Sequence, residues 1–155
     1  MTEFRWIHWE LAHVDRIHAI ERASFTLPWP REAFVELLDP SSAYATGAMV
    51  DARGEILGYV VYCEVADELQ ILNIAVDPSA RKRGVGARML ETLHRQAIAN
   101  GRTQSYLEVR ETNAPAIALY EKFGYKAFMR RPKYYPDTQE DALLMRARLV
   151  IFDNH

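Results

Sequence analysis

The sequence predicts an α/β fold, α+β in its antiparallel part, with a mixed central sheet of about seven strands flanked by about four helices. Three observations predict it. Residues 69–94, LQILNIAVDPSARKRGVGARMLETLH, pass from an apolar strand through a basic turn into a helix. Ahead of this stretch, β-branched apolar runs separated by turn residues read as an antiparallel meander. Behind it a strand returns at residues 104–109, and a strand–helix–strand connection of this kind is parallel and right-handed.

Taken in order, residues 4–9 alternate loosely enough for a first strand. Residues 11–25 place Val14, Ile17 and Ile20 about a turn apart, as a helix does. Pro28-Trp29-Pro30 ends that helix, and Pro30 suits the first turn of a short one carrying Ala33, Phe34, Leu37 and Leu38, stopped by Asp39-Pro40. Residues 43–50 and 56–65 read as strands joined by Asp51-Ala52-Arg53-Gly54, and Asp67-Glu68 turns into the strand at 69–76. The long helix follows from Val85, Met89, Leu93 and Ala97, spaced four apart, with Asn100-Gly101 as its stop. Residues 114–123 form a helix with Asn113 as N-cap, Pro115 in the first turn and Gly124 beyond its end. Residues 125–130 and 142–149 read as a final hairpin around 132–138. Residues 1–149 are expected to form a single domain, and 150–155 a C-terminal tail with no readable pattern.

Composition narrows the class. A chain of 155 residues that is 49% hydrophobic suits one domain with a substantial core. A net charge of −2 gives no global basic field, so neither direct nucleic-acid binding nor an anionic membrane is expected. The single Cys63, in an apolar run, reads as a core residue of an intracellular protein. No apolar run approaches the ~20 residues of a membrane span. The expectation is a cytoplasmic monomer. His8, His13, His18, His94 and His155 show no ligand spacing, so no metal is expected. No Gly-x-Ser-x-Gly elbow is present, which argues against a covalent acyl-enzyme.

The turn Gly84-Val85-Gly86 bears most on function. Glycines in the first turn of a helix leave backbone N–H groups bare, and those groups have no intrahelical partner. Orphan donors and the positive end of the helix dipole together favour an anion such as a phosphate. Two glycines with a basic flank equally suit a tight turn beside a solvated face. The pattern lacks the third glycine of a dinucleotide fingerprint and the Gly-Lys-Ser/Thr of a Walker loop.

Longer motifs add to this. Arg81-x-x-Gly84-x-Gly86 after Asn73-Ile74-Ala75-Val76, then Leu107-Glu108-Val109-Arg110, Asn113-Ala114-Pro115-Ala116-Ile117-Ala118-Leu119-Tyr120 and Phe123-Gly124-Tyr125, resemble the GCN5-related N-acetyltransferases in order and spacing. With Pro28-Trp29 early and Tyr134-Tyr135-Pro136 late, the chain is most similar to those that acetylate the N-terminal alanine of ribosomal proteins. The resemblance covers nearly the whole chain. It implies a GNAT fold whose sheet is splayed in the middle, acetyl-CoA as donor, and a protein N-terminus, that of a small-subunit ribosomal protein, as acceptor.

The resemblance also implies roles. The backbone of Lys82, Arg83, Gly84, Val85, Gly86 and Ala87 would anchor the pyrophosphate, and that of Ile74, Ala75 and Val76 the pantetheine arm and thioester oxygen. Asn113 matches a cofactor-contacting position, a role compatible with capping. Tyr120 matches the general acid, and a phenol near 10 protonating a thiolate near 8.5 is uphill by roughly 2 kcal/mol. Glu108 matches the base, which at an ordinary carboxylate pKa needs burial or a relaying water. Without the motif, Tyr120 reads as a core tyrosine and Glu108 as a solvated strand-end carboxylate. Trp29 reads first as a packing aromatic and second as a substrate contact. Acetylation of lysine side chains or small amines, and acyl-CoA binding without turnover, are the alternatives.

Overall fold

The computed structural model describes residues 3–150. The expected tail therefore lies, from residue 151 onward, outside the described residues. In chain order the elements are β1 (Arg5–Ile7), α1 (Val14–Ser24), α2 (Arg31–Glu36), β2 (Ala45–Val50), β3 (Ile56–Val65), β4 (Glu68–Val76), α3 (Val85–Ala99), β5 (Gln104–Arg110), α4 (Ala114–Lys122), β6 (Lys126–Tyr135) and β7 (Glu140–Arg148). Short 3₁₀ turns precede α1 at Leu11–His13 and α3 at Pro78–Ala80. The strands form one mixed sheet in the order β1-β2-β3-β4-β5-β7-β6. Its parallel pair joins Glu68–Gln70 of β4 to Gln104–Tyr106 of β5, as the predicted crossover requires.

The chain packs into two compact units. One holds the described residues up to Cys63 together with Asn73–Thr92; the other holds Glu64–Leu72 and the described residues from Leu93 onward. In the first, Trp9, Val14, Ile17, Ile20, Phe34 and Tyr59 are fully or almost fully buried. Phe34 is central to this core, with ring centroids 5.6 Å from Trp29 and 5.8 Å from Tyr59. Trp29 thus packs against this core as a half-buried aromatic. Cys63 is buried in β3.

The second unit buries Leu107, Val109, Tyr120 and Tyr125 with a polar knot among them. His94 Nε2 and Ser105 Oγ lie 2.8 Å and 2.7 Å from the Tyr125 hydroxyl. Burial pushes His94 down to about 4, so the ring is neutral.

β1 is shorter than the expected 4–9 and α2 ends at Glu36, before Leu37 and Leu38, but the largest boundary change is in the final hairpin. The final hairpin is longer than expected, β6 continuing through Pro132 to Tyr135, so Tyr134 and Tyr135 are strand residues and the turn lies at 136–139. Pro132 ends strands in a sheet interior because it donates no ladder bond, but β6 is an edge strand and loses nothing on its outer side. The ladder is irregular there, with a register shift between Arg131 and Tyr135 and a left-handed φ of 50° at Lys133.

Candidate active site

In the first unit, the β4–α3 connection is shaped by its backbone. Asp77 N–H donates to the Leu57 carbonyl at 2.8 Å, fixing the chain as it leaves β4. Arg16 reinforces this from α1, lying 3.2 Å from the Asp77 carboxylate and donating to the Ile56 carbonyl at 3.1 Å. Asp77 is held below the usual carboxylate range: burial opposes this, but hydrogen bonds from Ser79 and Arg16 and the Arg16 charge outweigh it. Gly58 lets β3 and β4 approach closely. A Cβ there would meet the Ala75 carbonyl oxygen at 2.9 Å and Met89 Cε at 3.0 Å.

The turn alternates in hand. Lys82 has φ 65° and Gly84 φ 81°, both left-handed, with Arg83 at negative φ between them. Alternation of hand along a turn is the backbone pattern from which anion nests are built. The first helical bond of α3 runs from Arg88 N–H to the Gly84 carbonyl at 3.0 Å, so Val85, Gly86 and Ala87 N–H groups lie ahead of the ladder. The arginine side chains are engaged elsewhere, and Lys82 is exposed. Arg83 and Arg88 lie over the Phe4 ring at 5.9 Å and 5.7 Å, and Arg81 Nε is 3.4 Å from the Val76 carbonyl. What the turn offers a ligand is chiefly main chain, with the Lys82 side chain beside it.

The second unit carries the predicted catalytic pair. Glu108 lies on the more exposed face of β5, alternating with inward Leu107 and Val109, and faces Leu144 across the β7 ladder. Its side chain is 36% exposed and lies 3.5 Å from the Arg131 guanidinium. The carboxylate is not desolvated. Tyr120 comes from α4, which starts as predicted: the Asn113 side chain accepts from the Ala116 N–H at 3.3 Å.

Tyr120 is buried, its ring 5.9 Å from that of Tyr125. Burial, with a smaller contribution from Tyr135, pushes its phenol up to about 12. Tyr135 is itself raised, first by burial and then by the charge of Glu108. Tyr135 is therefore within electrostatic reach of both Tyr120 and Glu108, an association that the reading of Tyr135 as a loop residue missed. Arg110 fixes Tyr135, its guanidinium stacking 4.0 Å above the ring while donating to both Asp137 oxygens at 2.9 Å and 2.8 Å.

Sequence reasoning also passed over Glu21, a 1% exposed carboxylate in α1. The signal was available, since seven residues after Val14 and four after Ile17 it falls on the apolar stripe of its helix. Among the described residues, no group of three or more His, Cys, Asp or Glu side chains is placed to hold a metal, and no helix is long and apolar enough to cross a membrane.

Comparison with known proteins adds the following. A family model described as the Acetyltransferase (GNAT) family matches residues 14–125. A Bacillus subtilis protein, provisionally named a ribosomal protein bS18-alanine N-acetyltransferase, is 40% identical over 141 residues, 87% of this chain and 89% of that protein. The Escherichia coli K12 protein named [ribosomal protein bS18]-alanine N-acetyltransferase is 33% identical over 138 residues, 88% of this chain and 91% of that protein. A crystal structure of the ribosomal-protein-S18-alanine N-acetyltransferase from Escherichia coli superposes with a TM-score of 0.86 at 28% identity, over 98% of this chain and 97% of that one.

Proposed function

The chain belongs to the acetyltransferase (GNAT) family, and from that premise we propose that it transfers an acetyl group from acetyl-CoA directly to the N-terminal amine of a protein, the alanine of ribosomal protein bS18. The observation that supports the reading is the turn from Lys82 to Ala87, whose left-handed φ values at Lys82 and Gly84 suit backbone binding of a diphosphate. The acceptor rests on the names of relatives at 33% and 40% identity that align over nearly their whole length. Residues 1–149 act in this reading as one catalytic domain, monomeric and cytoplasmic; the family match itself runs from the first unit into the second.

In this reading the nest holds the pyrophosphate and the backbone of Ile74, Ala75 and Val76 holds the arm, with Asn113 at the start of α4 as a further contact. One well-placed N–H on the thioester oxygen is worth about 3 kcal/mol in the transition state. An N-terminal amine, with a pKa near 8, is about one-tenth free at neutral pH, against well under one-hundredth of a lysine. Little base strength is needed. Glu108 is solvent-accessible and paired with Arg131, so the route its setting supports is removal of the amine proton through water.

Tyr120 works against a larger gap than its ordinary pKa suggests. With the phenol at about 12 and a thiol near 8.5, full proton transfer is uphill by about 5 kcal/mol. Tyr120 therefore retains its proton until late and acts mainly as a hydrogen-bond donor to the developing thiolate.

The test is acetyl transfer from acetyl-CoA to a peptide beginning with the bS18 alanine, beside the same peptide with a blocked N-terminus and an internal lysine. Acetylation of the first alone is expected, with Glu108→Gln reducing kcat about 10- to 100-fold. Preferential acetylation of the lysine would overturn the acceptor assignment.

A further inference from the structure

Glu21 places a carboxylate where its helix calls for an apolar side chain. It accepts hydrogen bonds from three elements: the Tyr59 hydroxyl of β3, the Asn73 side-chain amide of β4 at 2.8 Å, and the Trp29 backbone N–H at 2.8 Å. Burying a carboxylate carries a penalty of several kcal/mol that hydrogen bonds must offset, and an apolar residue of similar volume would fill the stripe without it. The three bonds therefore accomplish something that packing does not.

What they join identifies the task. Trp29 belongs to the segment at 25–30 between α1 and α2, and Asn73 immediately precedes Ile74, Ala75 and Val76 on β4. Through one carboxylate the segment is tied to the strand that, in the reading above, holds the acetyl donor. The same segment presents an apolar surface, with Leu27 at 53% exposure beside exposed Pro28 and half-buried Trp29. Tyr59 is committed to the arrangement. Burial, then the Glu21 charge and its hydrogen bond, hold that phenol protonated.

We propose that Glu21 is a positioning residue for the acceptor, fixing the apolar ledge at residues 25–30 against the donor strand so that the acceptor chain meets a preformed surface. This rests on the assignment of the chain as a protein N-terminal acetyltransferase. Glu21 touches no reacting atom. Its effect falls on acceptor binding rather than on donor binding or the chemical step.

Glu21→Met fills the stripe and removes all three bonds; Glu21→Gln keeps part of the network. For Glu21→Met the KM of the bS18 N-terminal peptide should rise about tenfold, with kcat and the acetyl-CoA dissociation constant from calorimetry within about twofold of wild type. Hydrogen exchange of the Trp29 amide should accelerate at least about tenfold. Glu21→Gln should fall between and supplies the test if the methionine variant does not fold. A folded variant with unchanged peptide KM, or one in which donor and peptide constants rise together, overturns the proposal. Should wild type leave the peptide unmodified, the parent assignment fails, and Trp29 exchange still decides whether Glu21 holds the segment: unchanged exchange overturns it, and faster exchange supports it.

Discussion

The two units offer ligands different materials. In the first, the β4–α3 turn presents main-chain N–H groups while its arginines are turned to Phe4 and Val76; in the second, β5, α4 and β6 present the side chains Glu108, Tyr120 and Tyr135. A main-chain site tolerates most side-chain changes and fails when φ is disturbed. A side-chain site fails when one functional group is deleted, with the backbone untouched.

The largest effect should come from the second unit. Tyr120→Phe is expected to lower kcat about 100- to 1,000-fold with acetyl-CoA affinity unchanged by calorimetry. Stability should move by less than about 0.5 kcal/mol, because among the described residues the Tyr120 hydroxyl has no hydrogen-bond partner. A variant with wild-type turnover would dissolve the contrast.

Next is pH. His94 has a folded pKa lowered from 6.5 to about 4 by burial, so on acidification the unfolded chain takes up the proton first. Its contribution is intact above about 6.5 and is lost as pH falls towards 4, amounting to about 3 kcal/mol. Denaturant titrations of wild type and His94→Gln between pH 4 and 7 should differ in slope across that window. Parallel curves would remove His94 as the cause.

A smaller effect is expected at Gly84→Ala. No atom lies within 4 Å of the added Cβ, so the left-handed φ of 81° is the whole difficulty. The strain is about 1–2 kcal/mol, and the KM for acetyl-CoA should rise about tenfold with kcat kept. Smallest is Arg83→Ala, expected to change that KM less than about twofold. If Arg83→Ala proves the more damaging of the two, the anchor is a cation rather than an amide nest.

Much of this was legible in the sequence because the signals are local. The strand–turn–helix at residues 69–94, the Asn113 cap and the strand returning at 104–109 depend on neighbours within a turn or two, and each appears where expected. What escaped depends on partners far along the chain. The bonds to Glu21 from Tyr59 and Asn73 span 38 and 52 residues, and no window of sequence reports that a carboxylate on an apolar stripe will find them. The turn expected around 132–138 moved for a related reason, because Pro132 lies within β6. Its meaning as a strand breaker depends on whether β6 is interior or at the edge, which is a property of the sheet order. Burial of Tyr120 was legible, since its helix makes it a core tyrosine, but the size of the upward push that burial gives its phenol was not.

Strand β6 has a bearing on the molecule in crowded surroundings. A sheet border is an open template on which stray chains can stack into fibres, and this one carries Lys126, Arg130, Arg131 and Lys133 around a proline. The missing donor at Pro132, the broken register and the charged side chains along it make this border a poor seed for fibrils.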